Sequence, residues 1–375
     1  MGSLGYTPED FRGQNTGGKI MMKRKRLKPK DGHRMLFAVF ILLLLISLAC
    51  WYGPARSPTP GGINRLEQVN LGGVRQWISI RGTDPHFPVL LFLHGGPGSS
   101  NIAKLRLQAP ELENHFVVVN WDQRGAGKSG AVNFNYGTLS IEQMVSDAHE
   151  LVAYLKARFR VEKIYLMGFS WGTVIGLALA DRYPDDFFAY ISVSQLVNVS
   201  EGERLSLEYV QRMAEETRDK RAVAELAGID PAYHSGDWFR QLTFERNWLL
   251  HFGGVYHTTS SYSHEIWMML KAHEYSLTEV ALWPGRSSAS LKQLWPELMA
   301  INFFEMVPTV HCPVYFFVGS YDYNAPGQLT QAYYNQLEAP AGKHLIWFGN
   351  SAHDLFFDEP GKLVQETLAV AEAQK

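Results

Sequence analysis

Four short stretches of this chain carry residue types that could perform acyl transfer. Gly168-Phe169-Ser170-Trp171-Gly172 fits G-x-S-x-G and lies between an apolar run, IYLM, and a helical run, TVIGLALADRY. A nucleophilic serine on a strained strand-to-helix turn needs glycine on both sides, because a Cβ at either neighbour would clash. Such a turn exposes Oγ and brings the next backbone N–H and the helix N-terminus towards a developing oxyanion. His94-Gly95-Gly96-Pro97-Gly98 follows the run VLLFL and supplies the closely approaching backbone that the other half of an oxyanion hole requires. Gly96 and Trp171 are the candidate N–H donors. His94 reads as structural, since the base is expected near the C-terminus. An orienting acid and a base should follow the serine in that order, each on a loop after a strand. Asp322 follows the run VYFFVG, 152 residues after Ser170, and His353 follows HLIWFG, 31 residues after Asp322. Asp354 and Asp358 are rival acids, but both sit beside or after the histidine and off a strand end, and they read as solvated or helix-capping groups.

A further glycine cluster, Gly125-Ala126-Gly127-Lys128-Ser129-Gly130, matches G-x-G-x-x-G literally and contains GKS. Both nucleotide readings fail on context. The phosphate-loop pattern needs glycine where Asp122 stands, and a dinucleotide loop must open directly into a helix, whereas the next helix is signalled only near Ser140.

These residues need a scaffold of buried strands. The body alternates apolar β-type runs with helical patterns, as in a mainly parallel sheet covered on both faces. The expected strands are Gln76–Ile80, Val89–Leu93, Phe116–Asn120, Ile164–Met167, Tyr190–Val193, Val314–Val318 and His344–Phe348. One helix is well marked: Ser140 with Gln143 suggests a capping box, and Ile141, Met144, Val145, Ala148, Leu151, Val152 and Leu155 recur at helical spacing. Between about 197 and 306 the alternation stops, and helical patterns hold Trp238, Trp248, Trp267, Trp283 and Trp295, five of the ten tryptophans. Such an insertion is a candidate lid, with most of these rings packing it together and one or two lining a substrate pocket.

Taken together, HGGPG (94–98), WDQRGAGKS (121–129) and GFSWGT (168–173), with Asp322 and His353 after later strands, resemble the proline iminopeptidase branch of the α/β-hydrolase fold over residues 63–375. The resemblance implies an α/β fold with a mainly parallel sheet flanked by helices and a helical cap inserted after the sixth strand. The core would be 63–196 and 307–375, and the cap 197–306. It also implies a serine hydrolase with no cofactor or metal, acting on short peptides or other small molecules. Ser170 would be nucleophile, His353 general base, Asp322 orienting acid, and Gly96 and Trp171 oxyanion donors. Serine at the elbow argues against the aspartate chemistry of dehalogenases and epoxide hydrolases on the same fold. Phe169 departs from the glycine usual in this branch. Glu201 and Glu203, at the entrance to the cap, are candidate binders of a substrate amine. Hydrolysis of small esters is the close alternative, and a non-catalytic binding protein on the same scaffold is the remote one.

The charge is unevenly placed. Residues 1–34 hold nine Lys/Arg against three acidic residues, a net +6, so a chain whose total is −2 carries −8 on the remainder. An acidic body excludes a nucleic-acid-binding surface. Two cysteines, Cys50 and Cys312, exclude a disulfide framework. The 18 residues 35–52, MLFAVFILLLLISLACWY, are uncharged, and at ~1.5 Å per residue they cover about 27 Å of a roughly 30 Å hydrocarbon core. Basic residues crowd the N-terminal side of this run, so it reads as a transmembrane signal anchor with a cytoplasmic tail, followed by a linker at 53–62 and an extracytoplasmic catalytic body. Lipid attachment at Cys50 and cleavage with secretion are the alternatives. Oligomeric state is not encoded in any of these features.

Overall fold

The computed structural model describes residues 36–43, 61–131 and 133–375. The chain divides into two compact units, Met1–Ala49 and Cys50–Lys375. In the first, residues 36–43 are helical with exposed side chains. The rest of the expected span 35–52, the basic tail 1–34 and most of the linker 53–62 lie outside the described residues. Among the described residues no helix is long and apolar enough to cross a membrane.

The second unit is built on an eight-stranded sheet: β1 Ile63–Leu71, β2 Val74–Gly82, β3 Val89–Leu93, β4 Val117–Asp122, β5 Ile164–Phe169, β6 Phe187–Val193, β7 Val314–Gly319 and β8 Lys343–Phe348, in the order β1-β2-β4-β3-β5-β6-β7-β8. β1 and β2 are antiparallel, and every pairing from β4/β3 to β7/β8 is parallel. All seven expected strands form, within one to three residues at their ends. β1 was not foreseen. Its sequence, INRLEQVNL, is half polar because it is an edge strand, and its signal was the Gly72-Gly73 turn, where φ of +53° and +74° closes a two-residue hairpin with Leu71 opposite Val74.

Alternate residues of the central strands feed two cores. Leu91, Leu93, Val117 and Val119 face one, under the helices Ile141–Phe159 and Trp171–Arg182, and Leu90, Phe92, Val118 and Met167 face the other. The helices are α1 Lys104–Gln108, α2 Ile141–Phe159, α3 Trp171–Arg182, then α4 Val199–Glu216, α5 Lys220–Leu226, α6 Trp238–His251, α7 Ser263–Lys271, α8 Leu277–Met299 and α9 Phe303–Met306 between β6 and β7, followed by α10 Gly327–Gln336, α11 Leu355–Asp358 and α12 Pro360–Ala373. Half of the expected capping box forms at α2: Ser140 Oγ accepts from Gln143 N–H at 3.1 Å, but the Gln143 amide is drawn 2.7 Å to the buried Asp147. The complete box is at α8, between Ser276 and Glu279. The cap α4–α9 leaves and rejoins the core through one neck, where Val199 N–H donates to Ile301 C=O at 3.1 Å and Phe303 N–H to Val197 C=O at 2.8 Å.

Candidate active site

β5 ends in the turn that carries Ser170, whose φ of 53° and ψ of −121° lie outside the ordinary regions for an L-residue. The flanking glycines have a steric reason. A Cβ on Gly168 would meet the Gly172 carbonyl oxygen at 2.7 Å, and one on Gly172 would fall inside the van der Waals shell of the Leu93 carbonyl. His353, on the loop after β8, accepts the Ser170 hydroxyl at Nε2 across 2.9 Å, while its Nδ1–H faces Asp322 Oδ2 across 2.9 Å. That partner set defines the tautomer. The other Asp322 oxygen accepts the backbone N–H groups of Asn324 and Ala325 at 2.9 and 2.8 Å, which locks the carboxylate. Ser170, Asp322 and His353 are all buried.

The HGGPG loop packs on this turn. Gly96 lines the cavity above Ser170, and Trp171 opens α3, where the first N–H groups have no intrahelical acceptor. The Trp171 indole N–H donates to Gln123 Oε1 at 2.8 Å, and Gln123 backbone N–H donates to His94 Nε2 at 3.3 Å. His94 Nδ1–H donates to Gly95 C=O at 2.6 Å. Burial pushes His94 down to about 4, so it is a neutral brace between the two candidate oxyanion segments.

The 125–130 glycine cluster forms a short turn rather than a helix start, with Lys128 N–H donating to Asp122 Oδ2 at 2.7 Å and Lys128 Nζ paired to Glu279. Arg124 of the same motif is buried against Asp147 at 2.7 Å and holds the loop to α2.

Above Ser170 lies a cavity of about 590 Å³. The cap contributes an apolar wall that includes Ile266, Met269, Val280 and Trp283, together with the carboxylate of Glu265, and the core contributes Lys104 and Asp354. Lys104 Nζ donates to Asp354 Oδ2 at 2.7 Å, lies 3.7 Å from Glu265 Oε1, and stands 5.1 Å from the Phe169 ring centroid. Burial pulls Lys104 down, but the two carboxylates outweigh it and leave its pKa raised. Burial pushes the Glu265 carboxyl up, against the attraction of Lys104. Tyr256 OH donates to Glu265 at 3.3 Å.

Two expectations change here. Glu201 and Glu203 do not line this cavity: Glu201 is bound by Arg204 three residues along α4, and Glu203 is buried against Arg246. Asp354 caps α11, as the sequence suggested, and is also buried against Lys104, while Asp358 is partly exposed and ties loops together. Sequence reasoning missed Lys104 and Glu265, because a lone lysine and a lone glutamate on short amphipathic helices carry no spacing signal. Of the five cap tryptophans, Trp283 lines the cavity, Trp238 stacks on Trp295 at 4.7 Å, and Trp267 is exposed.

Residues 88–360 match the family model described as alpha/beta hydrolase fold. The chain belongs to the alpha/beta hydrolase family. This hydrolase is 31% identical over 306 residues to the Probable aminopeptidase YbaC of Bacillus subtilis (strain 168), covering 81% of its own length and 95% of that protein's. Over a shorter stretch of 130 residues, 34% of this chain and 43% of the other, it is 32% identical to the Proline iminopeptidase of Lactobacillus crispatus (strain ST1). The hydrolase's fold matches the crystal structure of the proline iminopeptidase of Mycobacterium smegmatis with a TM-score of 0.62 at 16% identity, covering 83% of this chain and 99% of that one. It also matches Est816, an N-acyl homoserine lactone degrading enzyme, with a TM-score of 0.58 at 17% identity, covering 81% and 99%. The protein is thus an enzyme of the serine hydrolase type, among aminopeptidase- and esterase-named relatives.

Proposed function

We propose that the hydrolase releases N-terminal residues from short peptides, in the manner of a proline iminopeptidase, through Ser170, His353 and Asp322. The observation that supports this reading is the continuous chain from Ser170 Oγ through both ring nitrogens of His353 to Asp322, beneath a cavity that holds a cap carboxylate, Glu265. His353 takes the Ser170 proton as Oγ attacks the acyl carbon. The backbone N–H groups of Gly96 and Trp171 stabilise the tetrahedral oxyanion, and His353 returns the proton to the leaving amine. Water, activated by His353, then attacks the acyl-enzyme by the same route and frees the acid. Glu265, in reach of a substrate ammonium inside the cavity, takes the amine-binding part first assigned to Glu201 and Glu203. The apolar wall of Ile266, Met269, Val280 and Trp283 favours a second reading, hydrolysis of small acyl esters.

A fluorophosphonate probe should label the wild-type protein and not Ser170→Ala, and that variant should lose on the order of 10⁴–10⁶ in kcat if chemistry limits the rate. Wild-type protein that is not labelled, while a related hydrolase is, would leave only the non-catalytic binding reading. Pro-, Ala- and Leu-arylamides beside acetyl and butyryl esters separate the two substrate classes: ester turnover without arylamide cleavage removes the aminopeptidase reading. Glu265→Gln should lower arylamide kcat/KM by about 10- to 100-fold, the range of an unpaired buried partner of a charge, and leave ester turnover nearly unchanged.

The body is placed outside the cytoplasm by residues 35–52 acting as a membrane anchor, with lipidation at Cys50 or cleavage as the alternatives. Support for this comes from the uncharged 18-residue run and the +6 segment that precedes it.

A further inference from the structure

The segment of the cap that joins α6 to α7 is bonded to both loops that carry the candidate base and acid. Its Val255 C=O accepts the backbone N–H of His353 itself at 2.9 Å and of Asp354 at 3.3 Å, and its Gly254 C=O accepts the N–H of Tyr323, the residue after Asp322, at 3.2 Å. Two residues further on, the His257 ring stacks on Tyr321, the residue before Asp322, with centroids 3.9 Å apart and planes 14° from parallel. One side chain secures this arrangement. Asp358 Oδ2 accepts the N–H of His257 and the N–H of Ala352, the residue before His353, each at 3.0 Å. Its Oδ1 accepts the N–H and the hydroxyl of Thr258 at 3.2 and 2.9 Å. Four donors on two separate pieces of chain therefore share one carboxylate.

We propose that Asp358 is a positioning residue for His353: it fastens the cap segment 254–258 to the loop before the histidine, so that the Val255 and Gly254 carbonyls hold His353 and Asp322 in register. This rests on the assignment of Ser170, His353 and Asp322 as the reacting groups. The physical reason lies in tolerance. Two 2.9 Å hydrogen bonds in series survive only small displacements, and misplacement of a catalytic group by about 1 Å can cost on the order of 10²-fold in rate. His353 and Asp322 sit on loops at the ends of different strands, and these loops are joined directly by the Ser320 N–H to Phe348 C=O and Tyr321 N–H to Ser351 C=O bonds, each at 3.0 Å. The cap segment ties them from the other element. Aspartate suits the task because a carboxylate has two acceptor oxygens; an asparagine in its place must turn an NH₂ group towards one pair of donors.

The test uses the full-length chain with Asp358→Asn and Asp358→Ala, and counts competent sites by titration with a fluorophosphonate, so that kcat is expressed per labelled serine. On a small acetyl ester, kcat per site should fall about 10- to 100-fold with KM within about 2-fold of wild type. A kcat per site within about 2-fold of wild type in either variant overturns the proposal, even where melting shows lower stability, because the carboxylate would then serve folding alone. A rise in KM with unchanged kcat overturns it too. Should Asp358→Ala yield no labelled protein, Asp358→Asn decides. Failure of the underlying assignment has a different signature: Ser170→Ala would keep its activity whatever Asp358 does.

Discussion

Ser170 holds φ of 53°, a conformation that costs a non-glycine residue on the order of 1–3 kcal/mol and persists only where the surroundings enforce it. Here the enforcement is steric. The two glycines let α3 and the β3 loop close on the turn, and the strain leaves Oγ facing His353. A second residue stores energy of another kind. Asp122 is fully buried beside Lys128 N–H, Tyr275 OH, the Lys128 ammonium and Glu279, and burial pushes its carboxyl up to about 7 against the hydrogen bonds that lower it. Its folded pKa lies above the unfolded value near 3.8, so the unfolded chain releases the proton first. The contribution to stability is full below about pH 4 and is lost as pH rises to about 7. Asp122→Asn should therefore flatten the melting temperature between pH 4 and 7 relative to wild type. Parallel curves for the two proteins would show that Asp122 is not the titrating group. His94 acts in the opposite sense: with its folded pKa lowered to about 4, its contribution is lost as pH falls below about 6.5. The comparison must accordingly be made between variant and wild type, and not read from one curve.

At the scale of elements, α8 holds the candidate oxyanion loop. Ser287 Oγ lies 2.7 Å from Ser99 Oγ, Trp283 indole N–H donates to Ser100 C=O at 2.8 Å, and Tyr275, just before α8, accepts the Ile102 N–H at 2.9 Å while donating to Asp122. Arg286 of α8 donates to Gly127 C=O in the neighbouring loop. The cap is therefore fastened to the loop that presents Gly96. Trp283→Phe keeps an aromatic ring against Ile102, Met269 and Tyr275 but removes the donor, leaving the Ser100 carbonyl without it. The lost bond is worth about 1 kcal/mol, and the second-order rate of fluorophosphonate inactivation should fall about 5- to 10-fold as the loop loosens. An unchanged inactivation rate would show that Gly96 is held by the core alone.

For the whole molecule the division of charge remains the dominant feature: +6 on residues 1–34, −8 on the rest, and an uncharged run beginning directly after the basic segment. The proposed membrane orientation rests on this division, because basic flanks resist translocation. The body by contrast has two apolar cores on opposite faces of its sheet, another inside the cap, and one where the cap meets the core around Ile102 and Met269. Protease added to intact cells should degrade the body of an outward-facing protein together with known surface domains. Survival of the body under those conditions removes the proposed orientation.

Strand positions and the strained turn at Ser170 were legible because buried parallel strands are written as unbroken apolar runs, and because such a turn needs two glycines at set positions. β1 was hidden since an edge strand need not be apolar, and half of the capping box was lost since Gln143 had a better partner in Asp147, one turn further along α2. Glu201 and Glu203 looked available in the sequence, but Arg204 and Arg246 had already taken them. Glu265, Lys104 and Asp358 acquire their parts from contacts between segments some 100 to 250 residues apart. The sequence by itself determined the strands, the strained turn and the strand ends that carry Ser170, Asp322 and His353, because each follows from local sterics and burial. The tertiary structure alone decided which charges face the cavity and which carboxylate joins cap to core, because those depend on where side chains from distant segments meet.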